Sequence, residues 1–165
     1  MQVIVVYESH WGNTASLAKA IAEGFGPDAR ALTTDEATST AVAEADLIIA
    51  GAPIMAFSLP SDRVLATLAD DAKAPSPPDL THPSMRSWLD RLPTGHGRSA
   101  HFETGLRWSP GGSTSAIGRK LEKAGFARLG KSRRFVVKGS YGPLREGELE
   151  RAKQWGRELA ATMTT

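Results

Sequence analysis

Short apolar runs alternate with helical segments along the whole of this chain. The first run, Val3–Tyr7, is rich in β-branched residues and is typical of a strand that is buried on both faces. A polar loop follows, and apolar residues then recur at helical spacing until Gly24, Gly26 and Pro27 end the helix. The same order recurs down the chain. It predicts an α/β protein with a parallel sheet and helices on both faces, because neighbouring parallel strands need right-handed helical crossovers.

The remaining elements follow from the same pattern. The further predicted strands are 30–33, 46–52, 98–103 and 135–139. The further predicted helices are 35–44, 61–71, 114–124 and 146–162, with a short helix over 84–92 in a long connection before the fourth strand. In helix 61–71, the spacing of Val64, Leu65 and Leu68 predicts a face that packs on the core. A chain of 165 residues fits one domain, and we expect a single domain over 1–165.

Composition excludes several kinds of chemistry. The chain has no cysteine, so disulfides, thiolate metal sites and cysteine nucleophiles are excluded. Its four histidines show no metal-binding spacing, and we expect no metal site. No apolar run approaches the roughly 20 residues that cross a bilayer, and residues 1–7 lack the basic start of a signal peptide. We therefore expect a cytoplasmic protein that does not bind a membrane.

Charge is distributed unevenly along the chain. Residues 1–82 carry 4 basic and 11 acidic side chains, a net charge of −7, whereas residues 83–165 carry 16 basic and 7 acidic ones, a net charge of +9. The basic residues concentrate in and after helix 114–124, at Arg119, Lys120, Lys123, Arg128, Lys131, Arg133 and Arg134. No nucleic-acid recognition motif accompanies them. A solvated face or a dock for an acidic protein partner is therefore favoured over nucleic-acid binding.

The polar loop after the first strand has the composition of an anion-binding site. Ser9, Asn13 and Thr14 offer hydrogen-bonding side chains, and the start of the helix presents unpaired N–H groups. Gly12 lets the backbone approach a ligand closely. The loop contains no lysine or arginine, and the phosphate-loop pattern GxxxxGK[ST] is missing. Phosphate binding and simple capping of the helix both explain this composition.

Several stretches of the chain resemble flavodoxins. The motif Ser9-x-x-Gly12-Asn13-Thr14 is similar to their phosphate loop, and 45–53 is similar to their third strand and the loop that flanks the flavin. The stretch 95–112, a strand followed by a glycine-rich loop with a tryptophan, resembles their second flavin wall. The stretch 141–149 resembles actinobacterial-type flavodoxin-family proteins. The resemblance covers nearly the whole chain and implies a three-layer flavodoxin-like fold with five parallel strands in the order 2-1-3-4-5.

The resemblance also implies FMN as the cofactor. The FMN phosphate is expected on one loop, at Ser9, His10, Trp11, Gly12, Asn13 and Thr14. The isoalloxazine ring is expected between two further segments, Pro53, Ile54, Met55, Ala56 and Phe57 on one side and Thr104, Gly105, Leu106 and Trp108 on the other. A flavin ring stacks on flat apolar surfaces. We therefore expect Trp108 as one wall and Phe57, Ile54 or Met55 as the other.

Three departures from the family pattern bear on function. Trp11 stands where flavodoxins usually have threonine, and Ile54 and Met55 stand where related sequences often have polar residues. Flavodoxins that carry electrons are typically acidic, whereas this chain has a sequence pI of about 9.1. An acidic rim is what docks such a carrier onto basic partners. Glu8 and Glu103, at the ends of the first and fourth strands, are either ligand contacts or solvated strand ends.

Two classes of function follow. The first is an FMN-binding electron-transfer protein, either a carrier for a redox partner protein or an FMN-dependent NAD(P)H oxidoreductase that uses a nicotinamide and an acceptor such as a quinone. The alternative is a flavodoxin-like module that has lost flavin binding and binds a protein or another phosphorylated ligand. No set of catalytic acids and bases is readable from the sequence. The oligomeric state stays open.

Overall fold

A parallel sheet forms the centre of the molecule. The computed structural model describes all residues, Met1–Thr165. The strands are β1 (Val3–Tyr7), β2 (Ala29–Thr33), β3 (Leu47–Pro53), β4 (Arg98–Gly105), β5 (Ala127–Arg128) and β6 (Arg133–Val136). The helices are α1 (Asn13–Phe25), α2 (Ser39–Ala43), α3 (Asp62–Leu68), α4 (Met85–Leu89), α5 (Thr114–Lys123) and α6 (Glu148–Met163). Each predicted strand and helix has a counterpart with somewhat different bounds, whereas β5 was not predicted.

The strand order is β2-β1-β3-β4-β5, and every pairing is parallel. The predicted order 2-1-3-4-5 is confirmed. The prediction of one fifth strand over 135–139 is wrong in detail, because two short strands share the fifth position. β5 pairs with the start of β4, and β6 pairs with Phe102 to Gly105 at its end. Between them the chain turns at Gly130, which has a φ of +71°, so the edge strand is interrupted by a polar turn that shows no strand pattern in the sequence.

Two apolar clusters cover the two faces of the sheet. One joins α1 and α6 to the sheet and includes Leu17, Ile21, Phe102, Phe135 and Trp155. The other joins α4 and α5 to the opposite face and includes Ile48, Met85, Trp88, Ile117 and Phe126. The predicted layers of helices on both faces are therefore confirmed.

Two glycines set the contact between α1 and α6. A Cβ at Gly24 would overlap the backbone carbonyl of Lys153, and a Cβ at Gly156 would overlap that of Ile21. The helix backbones thus lie closer together than any side chain at these two positions allows. This contact holds α1, whose first residues begin at the carboxyl edge of the sheet, firmly against the core.

We expect Gly156→Ala to destabilise the fold by about 1–3 kcal/mol, because the added methyl group forces α1 and α6 apart. This cost outweighs the ~1 kcal/mol that alanine contributes by its higher helix propensity. Gly139→Ala is the matched control, since its Cβ would make only an ordinary contact, 3.6 Å from Gly142 O. Urea unfolding of the two variants measures the difference. Equal stabilities would contradict the close packing of the helices.

Helices α2 and α3 are shorter than predicted. α2 covers only Ser39–Ala43 of the predicted 35–44, and α3 covers Asp62–Leu68 of the predicted 61–71. The prediction that Val64, Leu65 and Leu68 pack into the core is wrong, since no residue of α3 is buried. Helical spacing shows which residues share a face, but it does not show whether that face meets the core or a cleft.

One ionisable side chain is enclosed by the sheet and α5. His101 on β4 is 1% exposed, and its Nε2 lies 3.1 Å from Ser99 Oγ. A Cβ at Gly118 of α5 would lie only 3.0 Å from the imidazole, so the glycine makes room for this ring. Burial, with a smaller contribution from Arg128, lowers the pKa of His101 to about 4.

The folded protein therefore holds His101 neutral, whereas the unfolded chain protonates it below its ordinary pKa of about 6.5. The unfolded state binds the extra proton. The contribution of His101 to the free energy of unfolding is therefore fully present above about pH 6.5, and about 3 kcal/mol is lost as the pH drops towards 4. Urea unfolding across this window measures the loss. We expect His101→Gln to flatten the dependence, whereas His96→Gln, at an exposed position, leaves it unchanged. A wild-type stability that is constant between pH 6.5 and 4.5 would contradict this.

Candidate functional site

A cleft of about 340 Å³ opens at the carboxyl edge of the sheet. Its volume falls within the range of about 300–1,000 Å³ that is typical of small-molecule sites. Five segments meet there: the loop from β1 into α1, the turn after β3, α3 with the residues just after it, the end of β4 with its following loop, and the loop after β6. In a parallel sheet this edge, where the strand order reverses, is the usual place for a ligand.

The start of α1 is an open anion site at one end of the cleft. Gly12 stands at the N-cap with a φ of +91°, and no side chain caps the helix. The N–H groups of the first turn have no helical carbonyl to bind. Beside them, Ser9 is 5% exposed and its buried hydroxyl has no hydrogen-bond partner. A phosphate at this position would accept hydrogen bonds from both, which favours anion binding over simple capping.

Asn13 and Thr14 are held in place by contacts across the cleft. The Asn13 side-chain amide donates to the Tyr141 carbonyl at 3.2 Å. Thr14 Oγ1 lies 3.0 Å from Thr104 Oγ1 at the end of β4. Only one of these two hydroxyl groups donates to the other, so one hydroxyl hydrogen stays available to a ligand. The first turn of α1 is thereby tied to both β4 and the loop after β6.

Trp11 forms part of the outer wall at this end of the cleft. Its indole N–H donates to the Ser76 carbonyl at 3.0 Å, and its ring meets Tyr141 edge-on with centroids 4.9 Å apart. Tyr141 in turn donates its hydroxyl to Asp71 Oδ2 at 2.5 Å. This hydrogen bond raises the pKa of Tyr141 and lowers the pKa of Asp71. The bulky residue that departs from the family pattern thus packs against neighbouring loops and leaves the cleft open.

A tight turn follows β3 on the other side of the cleft. Met55 and Ser58 exchange backbone hydrogen bonds, and Ala56 and Phe57 between them have φ values of 48° and 69°. Positive φ at both central residues is the geometry of a type I′ turn, which is unusual without glycine or asparagine. The turn directs Phe57 away from the sheet, and its side chain is 68% exposed.

Most of the predicted site residues come together in this cleft. Those that line it are Ser9, His10, Trp11, Asn13, Thr14, Pro53, Ile54, Met55, Ala56, Thr104, Gly105 and Leu106. Gly12, Phe57 and Trp108 are not among the lining residues. Trp108 is 78% exposed, on the loop after β4. The stacking roles of Phe57 and Trp108 stay predictions.

Seven lining residues were not predicted. They are Val64, Leu68, Asp71, Ser109, Val137, Ser140 and Tyr141. Val137, Ser140 and Tyr141 follow β6. The rule that ligands bind beyond the carboxyl ends of parallel strands could have indicated these three residues. Val64 and Leu68 reach the cleft from α3, and nothing in their spacing distinguishes a cleft from a core.

Glu8 and Glu103, the two glutamates at strand ends, are only 1% and 5% exposed, so the expectation of solvated strand ends is wrong. Glu103 accepts hydrogen bonds from Ser113 N at 2.8 Å and Thr114 N at 3.1 Å, and so caps α5. Its other oxygen accepts from Arg134 Nε at 2.9 Å. Arg134 also donates to the carbonyls of Ser109 and Gly111, both at 2.7 Å. Glu103 therefore anchors the loop that carries Trp108.

We expect Glu103→Ala to cost about 3 kcal/mol of unfolding free energy, because it removes one partner of a largely buried ion pair and leaves the start of α5 uncapped. Glu122→Ala, at an exposed position of α5, is the control and should change stability by less than about 0.5 kcal/mol. Chemical denaturation of both variants measures the effect. A loss for Glu103→Ala no larger than that of the control would contradict the anchoring role.

The basic residues of the second half do not form one free patch. Lys120 pairs with Asp90 at 2.7 Å, and Arg133 pairs with Glu158 at 3.3 Å. Arg134 is held by Glu103, as described above. Three of the seven basic residues named above are therefore paired with carboxylates within the chain.

The structure also bears on metal binding and on membrane spanning. No three His, Asp or Glu side chains are grouped so that they could hold a metal ion. None of the helices combines the length and the apolar character needed to cross a membrane.

The strand order and the position of the cleft are those of doubly wound α/β proteins. In this class the ligand site lies at the switch point, where the order of the strands in the sheet reverses. The chain is similar to a flavodoxin from the domain Archaea, with 20% identity, a TM-score of 0.69 and 100% coverage of both chains. It is also similar to oxidised flavodoxin 1 from Bacillus cereus, with 17% identity, a TM-score of 0.67 and 98% coverage of both. A two-electron reduced flavodoxin from Megasphaera elsdenii matches at 19% identity and a TM-score of 0.59, over 95% of this chain and 99% of that one.

The chain therefore has the flavodoxin-like fold. Comparison with protein-family models and with curated protein sequences gives no match. At identities of 20% or less, the structural similarity fixes the fold and leaves the function to the site itself.

Proposed function

We propose that this protein binds FMN in the cleft and serves in electron transfer. The observation that carries the proposal is the open start of α1 beside the buried, unpartnered hydroxyl of Ser9. An unsatisfied buried hydroxyl is costly unless a ligand completes its hydrogen bonding. Its position at the switch point of a flavodoxin-like sheet favours a phosphorylated flavin over other phosphate esters.

The residues present fit the parts of FMN. The phosphate would lie on the N–H groups of the first turn of α1 with Ser9 and the Thr14–Thr104 hydroxyl pair. Apolar side chains farther along the cleft, Ile54, Met55, Val64, Leu68 and Leu106, suit the flat flavin ring.

When bound, FMN supplies one- and two-electron redox chemistry to the site. This chain's own residues position the cofactor and exclude water from its apolar face. Asp71 and Tyr141, two ionisable residues that line the cleft, are hydrogen-bonded to each other, so the role proposed for the protein is position and electrostatics. The partner would be a redox protein, or a nicotinamide together with a quinone if the protein acts as an NAD(P)H oxidoreductase.

A second candidate function is a flavodoxin-like module that has lost flavin binding. Its supporting observation is that Phe57 and Trp108, the two expected aromatic walls, are 68% and 78% exposed and do not line the cleft. Such a module would present these side chains to a protein partner, since exposed aromatic side chains near a cleft favour binding surfaces.

Titration of the protein with FMN, followed by flavin fluorescence, tests the proposal. We expect saturable binding of FMN and weaker binding of riboflavin, which lacks the phosphate. Ser9→Ala should weaken FMN binding about tenfold or more, since a hydrogen bond to a charged group contributes about 1.5–3 kcal/mol. Ser16→Ala is the matched control, because the Ser16 hydroxyl already donates to the Gly12 carbonyl at 2.9 Å.

Equal affinities for FMN and riboflavin would place the phosphate outside the α1 site. A folded protein that binds neither ligand would contradict the proposal and favour the module without flavin.

A further inference from the structure

Helix α3 takes no part in the core of the protein. None of its residues is buried, and none belongs to either of the two apolar clusters that cover the sheet. Helices α1, α5 and α6, by contrast, each bury an apolar face. A surface helix is normally held in place by such a face. The position of α3 therefore depends on contacts outside the core.

The apolar side chains of α3 face free space on two sides. Val64 and Leu68 lie one helical turn apart, and both line the cleft. Leu65 and Ala66 line a second cavity of about 260 Å³. The helix thus borders two cavities, and one of them is the site proposed for the flavin.

The segment that contains α3 is fastened only at its two ends. All hydrogen bonds of residues 62–70 stay within 61–71, and none of these residues forms an ion pair. Before the helix, Leu59 is 3% exposed, and its carbonyl accepts a hydrogen bond from Arg86 Nη2 at 2.6 Å. After the helix, Asp71 accepts the hydrogen bond from the Tyr141 hydroxyl. Between these two fixed points, no polar contact ties α3 to the rest of the molecule.

A helix of seven residues needs support from its surroundings. Isolated helices shorter than about 12–15 residues are marginal in water, because few hydrogen bonds offset the cost of forming the first turn. Regions with few buried apolar contacts open locally at a small fraction of the free energy of global unfolding. We therefore expect α3 to leave the edge of the cleft and unfold locally while the sheet stays intact.

We propose that α3 is a lid that opens to admit the flavin and closes on its ring through Val64 and Leu68. The inference rests on the proposed function and adds how the ring is enclosed. In the closed lid, these two side chains obtain from the ring the apolar contact that the core does not offer them. Closure also excludes water from this side of the ring, as substrate-induced closure does in enzymes with lids.

Hydrogen exchange of the full protein, followed residue by residue with NMR, tests the proposal. In the free protein, the amide hydrogens of α3 should exchange at least about 100-fold faster than those in the middle of α1, because local opening is enough to expose them. At a free FMN concentration of about 100 Kd, exchange in α3 should slow by at least about tenfold, since FMN holds the lid closed. α2, another short helix, lines no part of the cleft and is the control, with exchange unchanged by FMN.

Riboflavin distinguishes closure on the ring from an effect of the phosphate. It carries the same ring, so saturating riboflavin should slow the exchange of α3 as FMN does. Slowing by FMN but not by bound riboflavin would place the closing contact at the phosphate and overturn the role of Val64 and Leu68.

Two leucines of α3 provide matched variants. Leu68→Ala removes a side chain that lines the cleft, so FMN should bind about tenfold more weakly. At one fixed FMN concentration, the slowing of α3 exchange should fall in proportion. Leu65→Ala makes the same change on the side of the second cavity and should alter FMN affinity by less than about twofold. Both variants should keep the wild-type fold, because neither side chain belongs to the core.

The outcomes distinguish the lid from the proposed function. Bound FMN that leaves the exchange of α3 unchanged makes α3 a fixed wall and overturns the lid, while the FMN site stands. Amides of α3 that exchange as slowly as those of α1 in the free protein overturn it too, as do equal losses of affinity in Leu68→Ala and Leu65→Ala. A folded protein that binds no FMN contradicts both proposals.

Discussion

All strands of the sheet run in one direction, so their carboxyl ends and the loops that follow them meet along one edge. This constraint brings together residues that lie far apart in the chain, such as Thr14 and Thr104 or Asn13 and Tyr141. The glycine contact between α1 and α6 holds the C-terminal half of α1 against α6. The open helix start, the free hydroxyl of Ser9 and the cleft all depend on this arrangement.

Local sequence patterns predict much of the fold and of the site. The loop 9–14 is recognisable because its polar residues stand between a buried strand and an amphipathic helix, which is information contained within a few residues. Tyr141 was missed because its place in the cleft depends on Asn13 and Trp11, which lie about 130 positions earlier in the chain. The exposure of Phe57 follows from the turn geometry at Ala56, where a left-handed backbone has no glycine or asparagine to signal it.

The departures from the flavodoxin pattern have structural explanations that the sequence did not show. Trp11 lies between the loop 9–14 and the segment at Ser76, so its bulk adds a wall to the cleft. Lys120 and Arg133 are paired with acidic side chains, and Arg134 donates to backbone carbonyls of the loop after β4. Glu8 and Glu103, two charged residues at strand ends, support loops through buried hydrogen bonds.

A crystal structure of the protein grown with saturating FMN tests the central claim most directly. The account predicts that the phosphate lies at the start of α1, within hydrogen-bonding distance of Ser9 Oγ and of the backbone N–H groups of Asn13 and Thr14. It also predicts that the flavin ring lies along Ile54, Met55 and Leu106. FMN bound elsewhere on the molecule, or a cleft that stays free of flavin at saturating concentration, would contradict it.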